Sequence, residues 1–355
     1  VFSQDSPTAE KLGSVVNDDN ASFHVIRDFG EFGTLVLGTF SGDIEVFGKK
    51  ILSDNRQNIF ICLLDKDRNL AWIKAFGGEV NFSDLNLMIS PDKNIFVVGS
   101  YLGDFEIQAL NKGFMADEKR HFYFSISDGG DFMESFEINV ANGATLQGVE
   151  SSADGIYLIL SEFGTSNKTS DVNIIKYDYQ FNYINDVKLK SDESVSISDL
   201  AFKNGKLWIC GENKGEFSFQ DETIHEAVIK NGFLIGLDEN LQISLVRFLD
   251  SNSSSAIREI DFDYWGNLIL GIEFKGHVVG MGTTTFSSID QDIILVKLNP
   301  NSGQFIWSKE IINHGYQKLL NLTTNSVGSL AIAIFTDQDF DIDGHSIRSS
   351  KTDNF

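Results

Sequence analysis

The sequence predicts an all-β fold, and three observations lead to this prediction. Short apolar runs rich in Val, Ile and Phe recur along the whole chain and are bounded by Gly, Asn and Asp, a pattern typical of short antiparallel strands. No stretch shows sustained helical periodicity. The composition includes 30 Phe but only 3 Pro, which suits sheets that pack face to face and keep their backbone donors.

The chain also contains an internal repeat. Its six copies align at Gly38, Gly99, Ser161, Gly211, Ile272 and Ile334, with steps of 61, 62, 50, 61 and 62 residues. A second set of anchors, at the start of the next apolar run, is Phe60, Phe122, Asn173, Phe233, Ile294 and Phe355, with steps of 62, 51, 60, 61 and 61. Both sets therefore agree on the period and on which copy is short.

Each copy contains four strand-like runs, and four strands at a fixed period predict a β-propeller of four-stranded antiparallel blades. We expect one propeller domain over residues 1–355. Its repeats span approximately 20–81, 82–142, 143–193, 194–255, 256–317 and 318–355. Because the last copy stops before its final strand, we expect residues 1–19 to complete that blade and so close a ring of six. The alternative is seven or more blades, with this chain as a window of a longer array.

The fifth copy carries the clearest motifs: an Asp-x-x-Gly-Asn turn at residues 263–267, an apolar strand that starts at Asp292, and Trp307 after a Gly-containing turn. A second copy of the pattern begins at Asn58. On these motifs the chain resembles the bacterial SBBP repeats, whose name stands for seven-bladed β-propeller. The resemblance covers residues 20–355. It implies a propeller exported from a bacterium, either secreted or held at the cell surface, and it implies no activity.

Charge and cysteine content narrow the classes of partner. The formal net charge is −23, so the clustered Lys and Arg that bind phosphate backbones are missing and nucleic acid is not expected as a partner. No apolar run approaches the length of a transmembrane segment. The only two cysteines, Cys62 and Cys210, lie in apolar strands of non-adjacent copies, which predicts buried free thiols.

One pattern suggests a cofactor. Asp339, Asp341 and Asp343 alternate before Gly344, as the oxygen ligands of a calcium loop do. Ser350 stands where that loop needs its closing Glu. The repeat offers another interpretation, an acidic strand edge that alternates with apolar residues toward a turn. Calcium is therefore an alternative to the main expectation, which is that the chain has no cofactor.

The sequence contains no catalytic motif: the six His lack metal-ligand spacing, and there is no nucleophile elbow or phosphate loop. Trp265 lies in a turn, where an exposed aromatic ring can stack on a sugar or anchor a protein. We therefore expect a non-catalytic binding or scaffolding module that recognises a protein or a glycan through loops on one face of the ring. Two alternatives stay open. One is a propeller enzyme acting on polysaccharide, as a glycosidase or a lyase, and the other is a structural subunit of a larger cell-surface assembly.

Overall fold

The computed structural model describes residues 15–16, 21–53, 56–140, 144–163, 170–280, 285–312, 314–324, 329–342 and 345–347. The chain divides into two compact units, Val1–Leu146 and Gln147–Phe355. Among the described residues the regular structure is β-strand, apart from two short 3-10 turns at Gly30–Phe32 and Gln108–Leu110. The all-β prediction is therefore confirmed, and the ring of blades stays a prediction.

The first unit contains an antiparallel sheet of seven strands in the order β10-β9-β8-β7-β6-β3-β2, and a small sheet in the order β1-β4-β5. The strands are β1 Val15–Val16, β2 Ala21–Asp28, β3 Thr34–Phe40, β4 Ile44–Val46, β5 Lys49–Ile51, β6 Gln57–Leu64, β7 Leu70–Ile89, β8 Ile95–Ile107, β9 Lys112–Ile126 and β10 Phe132–Ile138. Residues 70–78 of β7 pair with β6, and residues 78–89 pair with β8. One long strand thus closes one four-stranded meander and opens the next.

The second unit continues the same up-and-down pairing. Its strands are β11 Thr145–Ser151, β12 Ile156–Phe163, β13 Ser170–Tyr177, β14 Tyr183–Ser191, β15 Ser194–Lys203, β16 Lys206–Phe219, β17 Glu222–Leu237, β18 Ile243–Phe248, β19 Asp250–Ser251, β20 Ser254–Phe262, β21 Leu268–Val279, β22 Phe286–Leu298, β23 Phe305–Ile311, β24 Gln317–Thr324, β25 Leu330–Thr336, β26 Phe340–Ile342 and β27 His345–Ile347. Three sets of four strands pair in chain order: β11 to β14, β15 to β18, and β20 to β23. The pairs β24-β25 and β26-β27 follow.

A β-bulge recurs on the strand that opens a set, which we call the first strand. The register shifts at Phe23/Val25, Ser83/Asn86, Ile197/Asp199, Ile257/Glu259 and Leu319/Asn321. Each shift leaves at least one residue outside the ladder, and a bulge of this kind redirects side chains and increases local twist. Ser198 and Arg258 are two of the residues that leave the ladder in this way.

The aligned glycines Gly38, Gly99 and Gly211 all lie in the second strand of a set, opposite a phenylalanine of the third strand. Their partners in the register are Phe60, Phe122 and Phe233. A Cβ atom added to any of them would lie within 3.1 Å of that ring. This register agrees with the alignment of the three glycines, and the close packing explains why a side chain is missing there.

Strands of the interior are buried along their full length. All of β3 except Thr34 and all of β6 except Gln57 are buried, as in sheets covered on both faces. Cys62 and Cys210 are free and buried, as predicted. Burial raises the pKa of the Cys62 thiol to about 12, so this sulfur is a packing group and not a nucleophile.

The closure prediction is wrong for the two residues on which it can be judged. The sequence predicts that the N-terminal segment pairs with the strands near the C-terminus, whereas Val15 and Val16 pair with Val46 and Glu45 of β4. The remaining residues of that prediction, 1–14 and 348–355, lie outside the described residues. The physical reason is local: β4 and β5 form a hairpin whose open edge accepts a third strand.

Candidate functional site: an aromatic pair beside a polar cleft

The turn that joins β20 to β21 is rigid and places two aromatic rings on the surface. The Asp263 carboxylate accepts hydrogen bonds from the Asn267 backbone N–H at 2.8 Å and from its side-chain Nδ2 at 3.0 Å. The Gly266 N–H donates to the Asp263 carbonyl at 3.0 Å, and Gly266 has φ +79°. This combination of Asx capping and a left-handed glycine is what the Asp-x-x-Gly-Asn motif encodes.

Tyr264 and Trp265 occupy the middle of that turn. Their side chains are 67% and 71% exposed, and the rings meet edge to face with centroids 5.8 Å apart. The expectation that Trp265 is an exposed turn residue is therefore confirmed. Two large rings that leave the core side by side on a rigid turn are unusual for a surface without a ligand.

Lys297 lies over one face of the Trp265 ring, with its Nζ 5.3 Å from the ring centroid. The same ammonium is paired with the Asp263 carboxylate, whose side chain is 4% exposed. Burial works to raise the pKa of Asp263, but hydrogen bonds from Asn267 and Lys297 outweigh it and hold that pKa below its ordinary value. Asp263 therefore stays ionised and fixes both the turn and the lysine.

A cleft of about 600 Å³ opens next to the pair and is lined in part by Tyr264. Its charged side chains are Glu150, Lys203, Asp261 and Asp263, and Thr324 completes its polar lining. Asp261 accepts hydrogen bonds from the Phe262 N–H at 2.7 Å and from the Thr324 hydroxyl at 3.1 Å. The cleft thus offers carboxylate, ammonium and hydroxyl groups within the second unit.

Two half-buried carboxyl groups lie between the first strands of this unit. The Asp199 carboxylate accepts the Ile260 N–H at 2.8 Å, and Glu259 accepts a hydrogen bond from the backbone of Leu322. Burial, with smaller contributions from Glu150 and Asp261, raises the pKa of Asp199 to about 6. Burial and then the charge of Asp199 raise the pKa of Glu259 to about 8.

Arg258, which the bulge releases from the ladder, links three strands. Its guanidinium donates to Glu273 at 2.9 Å and to Glu212 at 3.2 Å. The other oxygen of Glu273 accepts the Leu319 N–H at 2.9 Å. Sequence reasoning missed this group because the partners are up to 61 residues apart, and the position of the bulge was the one signal that could have pointed to it.

The structure gives a partial view of the calcium alternative. Asp339 is exposed, and Asp341 belongs to β26, where it pairs with Ser346 of β27. Asp343 lies outside the described residues, as does the side chain of Asp341. Among the residues the structure describes, no group of three or more His, Cys, Asp or Glu side chains could hold a metal ion. The calcium alternative therefore stays a prediction.

Comparison with known proteins adds no relative. No protein-family model matches this chain, and no curated protein matches it. The resemblance to SBBP repeats therefore rests on the turn, strand and tryptophan motifs given above. In the described part of the chain no helix is both long and apolar enough to cross a membrane.

Proposed function

We propose that this chain is an exported, non-catalytic binding module that recognises a glycan through Tyr264, Trp265 and the adjoining cleft. The observation that carries the proposal is the exposure of both rings on a rigid turn, at 67% and 71%. The apolar C–H face of a pyranose ring packs on the face of an indole, while its hydroxyl groups reach polar groups at the rim. The cleft supplies such groups in Lys203, Asp261 and Thr324.

The preformed turn favours binding because little freedom remains to be lost. Asn267 and Gly266 are hydrogen-bonded to Asp263 without any ligand, so the two rings are held in place beforehand. Immobilising a side chain on binding otherwise costs about 0.5–1.5 kcal/mol, and a rigid turn avoids part of that cost. A protein partner would use the same rings, but it would not need the polar cleft beside them.

We further propose that the strand sets are blades of one propeller, which serves as the frame for this site. Support comes from the sets of four consecutive antiparallel strands, from the bulge repeated on the first strands, and from the glycines that face phenylalanines. In such a frame the inter-strand turns, including residues 263–267, carry recognition, and the strands supply rigidity.

The test is calorimetric binding to a panel of neutral oligosaccharides. We expect Trp265→Ala to weaken binding by at least about tenfold, because stacking with a large aromatic ring contributes on the order of 1–2 kcal/mol or more. Tyr183→Ala is the matched control, since Tyr183 is 59% exposed but belongs to β14, away from this turn. Equal binding by Trp265→Ala and the parent protein, or no binding to any glycan, would contradict the proposal.

A second candidate function is supported by the carboxyl pair Asp199 and Glu259. Two acids whose pKa values are raised to about 6 and about 8 have the properties of a general acid in polysaccharide cleavage. Both groups accept backbone hydrogen bonds, which favours a structural role. Turnover of a polysaccharide panel by the parent protein, abolished in Glu259→Gln, would establish the enzyme and exclude the non-catalytic proposal.

A further inference from the structure

The two faces of the Trp265 ring are not equivalent. Lys297 covers one face at 5.3 Å, and the edge of the ring meets Tyr264 at 5.8 Å. Since the indole is 71% exposed, the face away from Lys297 is the one a ligand can reach. A flat ligand therefore stacks on one side only.

Lys297 is held firmly in its place. Its side chain is only 14% exposed and projects from β22, where it lies between Ile269 and Trp307 in the ladder. If it moved away, it would leave the Asp263 carboxylate without its counter-ion at 4% exposure, which is strongly unfavourable. The lysine therefore supports the ring from behind instead of competing with the ligand.

The charges around the site already have partners within the protein. Lys297 pairs with Asp263, Asp261 accepts from Thr324 and Phe262, and a Glu150 oxygen accepts the Ser151 N–H at 3.0 Å. The cation–π attraction that could select an amine is already used by Lys297. An anionic ligand faces the additional repulsion of a chain with net charge −23.

We propose that Lys297 is a positioning residue that leaves one face of Trp265 open, and that the site selects an uncharged pyranose glycan over acidic or amino-sugar glycans. This inference rests on the proposed glycan-binding function and names its ligand class. A charged sugar would lose hydration on entering the cleft without gaining a free counter-ion, whereas a neutral sugar exchanges only hydroxyl hydrogen bonds. The specificity thus follows from internal compensation of charge.

The experiment compares three probes: an N-acetylglucosamine oligosaccharide, its fully deacetylated form, and an oligogalacturonide of the same length. Binding is measured by calorimetry and by the fluorescence of Trp265, with Trp265→Phe to subtract the signal of the other three tryptophans. We expect the neutral probe to bind at least about tenfold more tightly than either charged probe. Tighter binding of a charged probe would overturn the inference and leave glycan binding intact. If no probe binds, the proposed function itself fails.

The role of Lys297 is tested by two substitutions. We expect Lys297→Met to weaken binding of the neutral probe by about three- to tenfold, and Lys297→Arg to keep it within about twofold, because a guanidinium also pairs with carboxylate and stacks on indole. Asp263→Asn combined with Lys297→Met removes both charges and controls for an unpaired carboxylate. Unchanged affinity and unchanged Trp265 emission in Lys297→Met would contradict the positioning role.

Discussion

Asp199 and Glu259 are the residues whose protonation most affects this fold. Because burial raises both pKa values above those of an unfolded chain, the folded protein holds more protons than the unfolded protein between the two values. The stabilisation is fully present below the unfolded pKa values and is lost as the pH rises through about 6 for Asp199 and about 8 for Glu259. Stability should therefore fall toward alkaline pH.

We expect Glu259→Gln to remove much of this pH dependence. Relative to the parent protein, the variant should gain on the order of 2 kcal/mol of unfolding free energy between about pH 5 and about pH 9, since it has no proton to lose. Urea unfolding at several pH values measures this, with Glu222→Gln as a control at an exposed position. A parallel pH dependence in Glu259→Gln and the parent protein would show that burial does not raise the pKa of Glu259.

The residue level also shows what sequence reasoning could reach. Trp265 could be placed on the surface because a turn motif surrounds it, and the buried thiols because apolar strands surround them. The roles of Lys297 and Glu259 could not be predicted, because their partners come from other strands, 32 and 63 residues away for Trp265 and Leu322. Such contacts depend on strand pairing and bulges, which composition and periodicity do not encode.

Among the structural elements, the hairpins that extend the second strands depend on glycine. Gly103 lies at a register shift of β8 with φ +109°, where an added Cβ would lie 2.2 Å from the Glu79 carbonyl oxygen. Gly42 occupies the corresponding place of the previous copy with φ +66°, and an added Cβ there would meet nothing within 4 Å. The two positions therefore separate backbone strain from steric clash.

We expect Gly103→Ala to lower the unfolding free energy by about 3 kcal/mol and Gly42→Ala by about 1 kcal/mol. The difference is the displacement of the Glu79 backbone that only the first substitution requires. Chemical denaturation of both variants provides the measurement. Equal losses in the two would mean that the sheet accommodates the added methyl group at Gly103.

The Arg258 group ties the first strand β20 to β16, β21 and β24. We expect Arg258→Met to cost about 2–4 kcal/mol, since it leaves Glu273 without its guanidinium at 5% side-chain exposure. Lys230→Met is the matched control, because Lys230 also pairs with Glu212 but is 54% exposed, and it should cost less than about 1 kcal/mol. Thermal unfolding distinguishes the two, and similar losses would assign the effect to Glu212 alone.

At this level the fold was predictable only in part. Period-two patterns and Asn, Asp and Gly turns predicted short antiparallel strands, and these are present. The strand β7, which is shared between two meanders, and the pairing of Val15–Val16 with β4 were not predictable. An edge accepts whichever strand reaches it, and local sequence does not determine which one that is.

For the whole molecule, the proposed propeller predicts a single compact body. A chain of 355 residues folded as one domain has a radius of gyration of about 20 Å. Small-angle X-ray scattering in solution measures this value directly. A radius above about 25 Å would indicate separated units and would contradict one propeller domain.

The most direct test of the proposed function is a crystal structure of the chain with a neutral N-acetylglucosamine oligosaccharide. We predict one pyranose ring stacked on the face of Trp265 opposite Lys297, with further sugar units entering the cleft toward Lys203 and Asp261. Electron density for the sugar at another surface, or an unoccupied Trp265 at saturating ligand, would contradict the account.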